Sequence, residues 1–556
     1  MANLNSSILL LIFGHLALMA HPAGIFLTKQ NSFYPLTGIN PRVEERSVTD
    51  SCVPVYTEYR IGSIDINGNT VFIKGKILEM FETKAGELLN QTQLESDIEN
   101  LLSKYENNGY PFISATVENI SFTYTDSSSL DVQILINEGP KVKIEQIEVE
   151  GNTDTKAYVV VRETRIRDGE IYNSDRVKNI SRLLNRLKIF SFVDDPSLYL
   201  IPDSIKKSDN VEALNPFHAL SAKMSSGIKS GGLLIKIIEG STNTFDGVVG
   251  YLPGSVGQKG YFTGLVDVGM RNLFGTGRKL SVKWMREDKY SQEIGIRYVE
   301  PWLLSYPVNL GGSFYQRQQD TLYIKRLTEL KADFLLTENL TIGGIFSQKN
   351  IIPSTNIADQ YVPASGTTSV GVEIHYDTRD DIYNPTAGIN YRSDYYAGRK
   401  KLYSSKQTLT LQRIGLDAEL FYETFRRQVV ALGLHGRELR SDEIEVSDLY
   451  RFGGTNTLRG YRENQFLGSR IVWLNLEYRF LMAKKSFFFG FFDFGYYFHP
   501  TVNKSNVSTL SENTKYGYGV GMRIETGLGI IGISFALGKG DNFSQAKLHF
   551  GLISDF

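Results

Sequence analysis

The chain has one cysteine in 556 residues, Cys52, and a lone thiol excludes both an intramolecular disulfide framework and a cysteine metal cluster. It has no charge excess either. Its 60 Lys and Arg against 61 Asp and Glu leave a formal net charge of -1, whereas a chain that binds nucleic acid shows a basic surplus. Apolar runs are short: residues 7–20 (SILLLIFGHLALMA) fall below the roughly 20 residues a spanning helix needs, and nothing later approaches that length. An α-helical membrane protein is excluded. Histidine is scarce, at 7 residues, and no Ser-His-Asp, HExxH or P-loop spacing occurs, so no enzymatic chemistry is expected. What the chain does hold is 41% hydrophobic and 12% aromatic residues, far above the composition of a disordered chain. With 31 Tyr, 32 Phe and 51 Gly but only 16 Pro, the profile suits several domains rich in β-strands.

The run 7–20, followed by small residues and a proline, has the length of a signal-peptide apolar region. Residues 1–23 are read as a signal peptide cleaved near Ala20 or Ala23, and residues 24–57 as an N-terminal linker. No Leu and small-residue run of the lipoprotein type precedes Cys52, which is read as a free thiol.

Self-similarity is the first positive signal. Ile61-Gly-Ser-Ile64-Asp-Ile66-Asn-Gly68-Asn69-Thr70 recurs as Ile144-Glu-Gln-Ile147-Glu-Val149-Glu-Gly151-Asn152-Thr153, and the same offset carries Gly86, Glu87 and Asn90 onto Gly169, Glu170 and Asn173. Each copy opens with an alternating strand ended by a Gly-Asn turn. Helical spacing follows, at Leu94, Ile98, Leu101 and Leu102 and at Val177, Ile180, Leu183, Leu184 and Leu187. Strands then lead to Glu138-Gly139-Pro140 and Glu239-Gly240, a wider separation that places an insertion in 203–230 of the second copy. This order of strand, helix, helix, strand, strand resembles the POTRA domains of outer-membrane assembly and secretion proteins, with boundaries at 58–140 and 141–240. The resemblance implies an exposed sheet edge able to accept an extended peptide, with an inert spacer as the alternative.

From 241 to 556 the helical period gives way to alternating segments of about ten residues, the signature of a transmembrane β-barrel. Sixteen segments start near Phe245, Tyr261, Arg278, Ser291, Val308, Tyr323, Asn339, Thr367, Ala387, Gln407, Arg427, Arg470, Ser486, Lys515, Gly529 and Ala546. If the first strand leaves the periplasm, even-to-odd connections should be tight, and those at 275–277, 305–307, 337–338, 424–425, 483–485 and 526–527 are. The long stretches 351–366, 441–469 and 499–514 fall on the other side. Alternation sets Leu548, Phe550, Leu552 and Phe556 against Lys547, His549 and Asp555, an apolar lipid face against a polar lumen. The fold class is therefore mainly β: a sixteen-stranded antiparallel transmembrane β-barrel preceded by two small α+β domains. Closure requires 245–253 to pair with 547–556, although Gly247, Gly250 and Pro253 weaken that first strand.

Between the eleventh and twelfth segments lies Leu449-Tyr-Arg451-Phe-Gly453-Gly454-Thr-Asn456-Thr-Leu458-Arg459-Gly460-Tyr461-Arg462-Glu463. It resembles the Arg-Gly-aromatic motif of the BamA/TamA superfamily, also called the bacterial surface antigen family, with Leu458 where Val is more usual. The resemblance implies that loop 441–469 folds back into the barrel, that Arg459 meets Glu477 and Asp493 on strands twelve and thirteen, and that terminal Phe556 is a barrel-insertion signal. Period 2 turns both acids inward, since Leu476, Tyr478, Phe492 and Phe494 take the other face. Asp377-Thr-Arg379-Asp380-Asp381 with Asn384-Pro385 and Gly388 resembles the family's acidic periplasmic turn, and no metal or other cofactor is assigned to it.

The family implies an outer-membrane assembly or translocation factor with its POTRA domains in the periplasm. Its partners would be the lipid bilayer, unfolded client proteins, periplasmic chaperones and accessory lipoproteins, and no nucleic acid. A two-partner secretion transporter is the alternative, and a passive porin a weaker one, because a diffusion pore needs neither duplicated modules nor a lumen loop.

Overall fold

The computed structural model describes residues 59–123, 126–202, 227–252, 260–286, 288–355, 362–483, 485–499, 511–526 and 529–553. The expected signal peptide 1–23, the linker 24–57 with Cys52, most of the insertion at 203–230 and Phe556 lie outside the described residues.

The first module runs β1 (Arg60–Asn67), α1 (Lys74–Met80), α2 (Gln91–Glu106), β2 (Ser114–Thr123) and β3 (Asp126–Asn137), in sheet order β1-β3-β2. The second runs β4 (Lys141–Glu150), α3 (Ala157–Thr164), β5 (Glu170–Ile171), α4 (Ser174–Arg186), β6 (Phe190–Val193), β7 (Ser197–Leu200) and β8 (Ile228–Glu239). The expected order holds in the first copy, and the second departs from it twice. It gains the short β5, and the counterpart of β2 is broken into β6 and β7, both paired with β8. The break falls at Asp194-Asp-Pro196, where proline removes a ladder donor.

The repeated residues have a physical reason that is the same in both copies. Asn90 and Asn173 cap α2 and α4, each side chain accepting the N–H three residues on. Gly68 and Gly151 sit at φ +81° and +90°, and a Cβ on either would lie 2.1 or 2.0 Å from the carbonyl oxygen of Ile136 or Ile237. Only glycine admits that approach of the first strand to the last. The closing glutamates return to the same turn: Glu138 accepts the Val71 N–H at 2.8 Å, and Glu239 accepts the N–H groups of Asp154 and Thr155 at 2.9 and 2.6 Å. The Gly-Asn-Thr and Glu-Gly signatures, far apart in sequence, are thus one contact.

Burial alone would raise the Glu239 carboxyl, but the Thr153 hydroxyl and these N–H donors outweigh it and hold it down at about 2. A depressed carboxyl stabilises the fold fully above its unfolded value of about 4.3 and loses that contribution as pH falls towards 2. Glu239→Gln is therefore expected to cost about 1–2 kcal/mol at neutral pH and much less at pH 2. Hydrogen exchange at the Asp154 and Thr155 amides checks this, and equal protection in both proteins at pH 7 would refute it.

The remaining strands are β9 (Asn243–Leu252), β10 (Tyr261–Leu273), β11 (Arg278–Arg286), β12 (Gln292–Glu300), β13 (Val308–Gln319), β14 (Tyr323–Leu335), β15 (Leu340–Pro353) and β16 (Ser365–Asp377). They continue as β17 (Gly388–Leu402), β18 (Thr408–Phe425), β19 (Gln428–Ser441), the loop strands β20 (Tyr450–Phe452) and β21 (Phe466–Gly468), and β22 (Arg470–Ala483). The last are β23 (Ser486–His499), β24 (Ser511–Thr526), β25 (Gly529–Gly538) and β26 (Lys547–Ile553). All but β20 and β21 form one antiparallel sheet of sixteen strands, and alternation follows the expected faces. Leu548 is 71% exposed and its neighbour His549 8%. Among the described residues no ladder joins β9 to β26, so the expected closing pair is not seen there.

The second module docks on the short-turn side of this sheet. Lys156 donates its N–H to Gly275 O at 2.9 Å and Arg162 donates to Thr276 O at 3.0 Å. Trp302 Nε1 donates to Glu163 at 2.8 Å, and Arg186 donates to Glu338 O at 2.9 Å and to Asp377 O at 2.6 Å. These contacts engage four successive even-to-odd connections. One of them, 378–387, is longer than a tight turn and is braced by Asp380, which accepts the Thr386 and Ala387 N–H groups.

Candidate functional site in the barrel lumen

Loop 442–469 folds into a hairpin whose stem is β20 paired with β21 and whose tip carries the motif. Gly453 and Gly454 both sit at φ +106°, a conformation that favours glycine, and they turn the chain after β20. Leu458 and Tyr461 are buried with Phe452, Ile471 and Trp473, so leucine fills the position where the motif more often has valine.

That packing delivers Arg459 to the two predicted acids. Its Nε and one terminal nitrogen donate to the two oxygens of Asp493 at 2.7 and 2.6 Å, and the other terminal nitrogen donates to Glu477 at 2.6 Å. The Arg459 backbone N–H adds a third bond to Asp493 at 3.0 Å. The guanidinium also lies 3.7 Å from the centre of the Phe491 ring. A planar cation with a bidentate partner, a second carboxylate and an aromatic face is fixed in direction as well as position.

Several contributors were not singled out from sequence. Arg479 gives Glu477 a second cation at 2.7 Å, and Asn475 donates both to Asp493 at 2.8 Å and to Thr457 O at 3.0 Å. The parity that turned Glu477 inward also turned these two inward, so the signal was present. With Arg459, Glu477 and Asp493, Arg479 completes a buried set of two cations and two anions. Such a set carries a desolvation cost that its hydrogen bonds offset, so its main consequence is one conformation for the loop.

The backbone of the tip needs room as well as charge. Gly517 on β24 and Gly538 on β25 face each other in register, and the tip lies over them. A Cβ on Gly517 would stand 1.9 Å from Arg459 O, and one on Gly460 would stand 2.7 Å from the Gly538 N. Tyr461 closes the contact, donating its hydroxyl to Tyr516 O at 3.0 Å and accepting the Lys539 N–H at 2.9 Å. The tip also reaches the last strand, where Gly460 donates its N–H to His549 Nε2 at 3.3 Å. Among the described residues no group of three or more His, Cys, Asp or Glu is arranged to hold a metal ion.

This geometry can be set beside known proteins. The Omp85 superfamily domain matches residues 272–556, more than half of the chain. The chain belongs to the Omp85 superfamily. The repeat described as the surface antigen variable number repeat, or POTRA, matches 59–139 and 142–211, in accord with the two modules. An Omp85 chain with this organisation lies in the outer membrane with its POTRA modules in the periplasm.

Among its relatives, the outer membrane protein assembly factor BamA of Nitratidesulfovibrio vulgaris is 22% identical over 466 residues, covering 78% of this chain and 54% of that protein. BamA of Neisseria meningitidis serogroup B is 21% identical over 266 residues, covering 47% and 29%. The chain thus spans about half the length of the first and under a third of the second. The solved structure of CdiB from Escherichia coli has a TM-score of 0.51 at 12% identity, covering 91% of this chain and 92% of that one, which shows a shared fold.

Proposed function

We propose that this Omp85 protein assembles client proteins in the outer membrane, receiving them unfolded through its periplasmic modules and releasing them at the edge between β9 and β26. It does so without enzymatic chemistry, and periplasmic chaperones and accessory lipoproteins deliver its clients. The observation that carries the reading is the hairpin seated in the lumen by Arg459, Glu477 and Asp493 and resting through Gly460 on β26. A diffusion pore gains nothing from a plugged lumen. Among the described residues the outer edges of β9 and β26 have no ladder partner, and such an edge beside the seated loop is a template to which an incoming strand can add.

The test is reconstitution. Liposomes carrying the purified protein should fold a small urea-unfolded outer-membrane barrel faster than empty liposomes do. If barrels fold no faster, and one large secreted protein is instead carried across the membrane, the chain is a two-partner transporter and the assembly reading fails.

A further inference from the structure

The motif tip is one of two places where the lumen hairpin is held by buried charge. At the base of the hairpin a short 3₁₀ turn, Val446–Asp448, is closed reciprocally: Glu445 O accepts the Asp448 N–H at 2.9 Å, and the Asp448 carboxylate accepts the Glu445 N–H at 3.3 Å. The same carboxylate takes Lys349 Nζ on one oxygen at 2.5 Å and Lys400 Nζ on the other. The Asp448, Lys349 and Lys400 side chains are 1%, 6% and 0% exposed.

The lysines come from different strands. Lys349 on β15 and Lys400 on β17 flank Thr367 of β16 in a single cross-strand row, so their backbones stand two strand spacings apart, roughly 10 Å. Two ammonium groups buried on one row repel each other and have lost their water, and the carboxylate that answers both comes from the loop. Three residues further along, in the hairpin stem, Arg451 donates to Gln319 of β13 at 3.1 Å, so the base leans on a nearby part of the wall as well. The tip is held elsewhere, on β22 and β23 by Arg459 and against β24 to β26 by its backbone.

We propose that Asp448 with Lys349 and Lys400 is a second latch, which holds the base of the hairpin on β15 to β17 and sets where the Arg459 tip lands. Asp448 is a positioning residue: it acts on client assembly through the tip. The proposal rests on the reading that the seated hairpin drives assembly, and it adds a residue set that the motif does not contain.

The test uses the full chain in liposomes with the variant Asp448→Asn and the triple variant Asp448→Asn, Lys349→Met, Lys400→Met, which removes both lysine charges together with the carboxylate that answers them. Heat-modifiable migration on a gel reports a folded barrel, trypsin cleavage after Arg451 and Arg462 reports an unseated loop, and folding of a small urea-unfolded barrel reports assembly. Whichever variant migrates as folded is expected to be cut in the loop, where the wild type is protected, and to assemble the client no faster than Arg459→Ala. A folded variant that stays protected, or that assembles at the wild-type rate, overturns the latch. So does failure of both variants to fold when Arg459→Ala folds, because Asp448 would then be a determinant of barrel folding. If Arg459→Ala itself assembles clients at the wild-type rate, it is the assembly reading that fails, and trypsin protection still decides the latch.

Discussion

Arg459→Ala is expected to insert and migrate as a folded barrel while losing nearly all client assembly. The sheet hydrogen bonds do not pass through the loop, so the wall stands without it. The loop does not keep its place. Removing the guanidinium leaves Asp493 buried with Asn475 as its remaining side-chain donor among the described residues, whereas Glu477 keeps Arg479. Breaking one side of a buried ion set costs about 3 kcal/mol or more, which lowers the ratio of seated to unseated loop about a hundredfold. Folded yield from gel migration and the rate of client folding in liposomes separate the two effects. Equal losses of both would mean that the arginine serves barrel folding alone.

Gly517→Ala is expected to reproduce that phenotype with a single methyl group and no change of charge. The added carbon would fall 1.9 Å from Arg459 O, and a backbone oxygen cannot move aside as the end of a flexible side chain can. On the outer face nothing changes, since Tyr518 and Val520 still meet lipid. The ladder from β24 to β25 also remains. Trypsin cleavage at the loop arginines should therefore rise while heat-modifiable migration holds, and a protected loop with wild-type assembly would show that the tip does not rest on this glycine pair.

How far these features could be read from the sequence depends on the range of the interaction. Alternation is local, so the expected strand starts fall within a few residues of the observed ones, the largest difference being Lys515 against Ser511. Parity likewise turned Glu477 and Asp493 inward, where both are found buried. Asn475 and Arg479 obey the same parity and were legible, though their partners were not. Lys349, Lys400, Gly538 and His549 meet the loop only because a hairpin of about thirty residues folds back across the lumen, and no period in the chain reports which wall it touches. The break between β6 and β7 at Pro196 was hidden for a different reason: both halves pair with β8, and its ladder, rather than local alternation, makes them one edge.

The central claim is that Arg459 and Asp493 act as one latch on the seated loop. It is tested most directly by a double-mutant cycle on the rate of client assembly in liposomes, using Arg459→Lys, Asp493→Asn and the pair together. Lysine cannot reproduce the bidentate geometry, and asparagine cannot carry the charge, so each single change breaks the same interaction. The account expects the double variant to be no slower than the slower single variant. Two losses that multiply, as those of independent residues do, would contradict it.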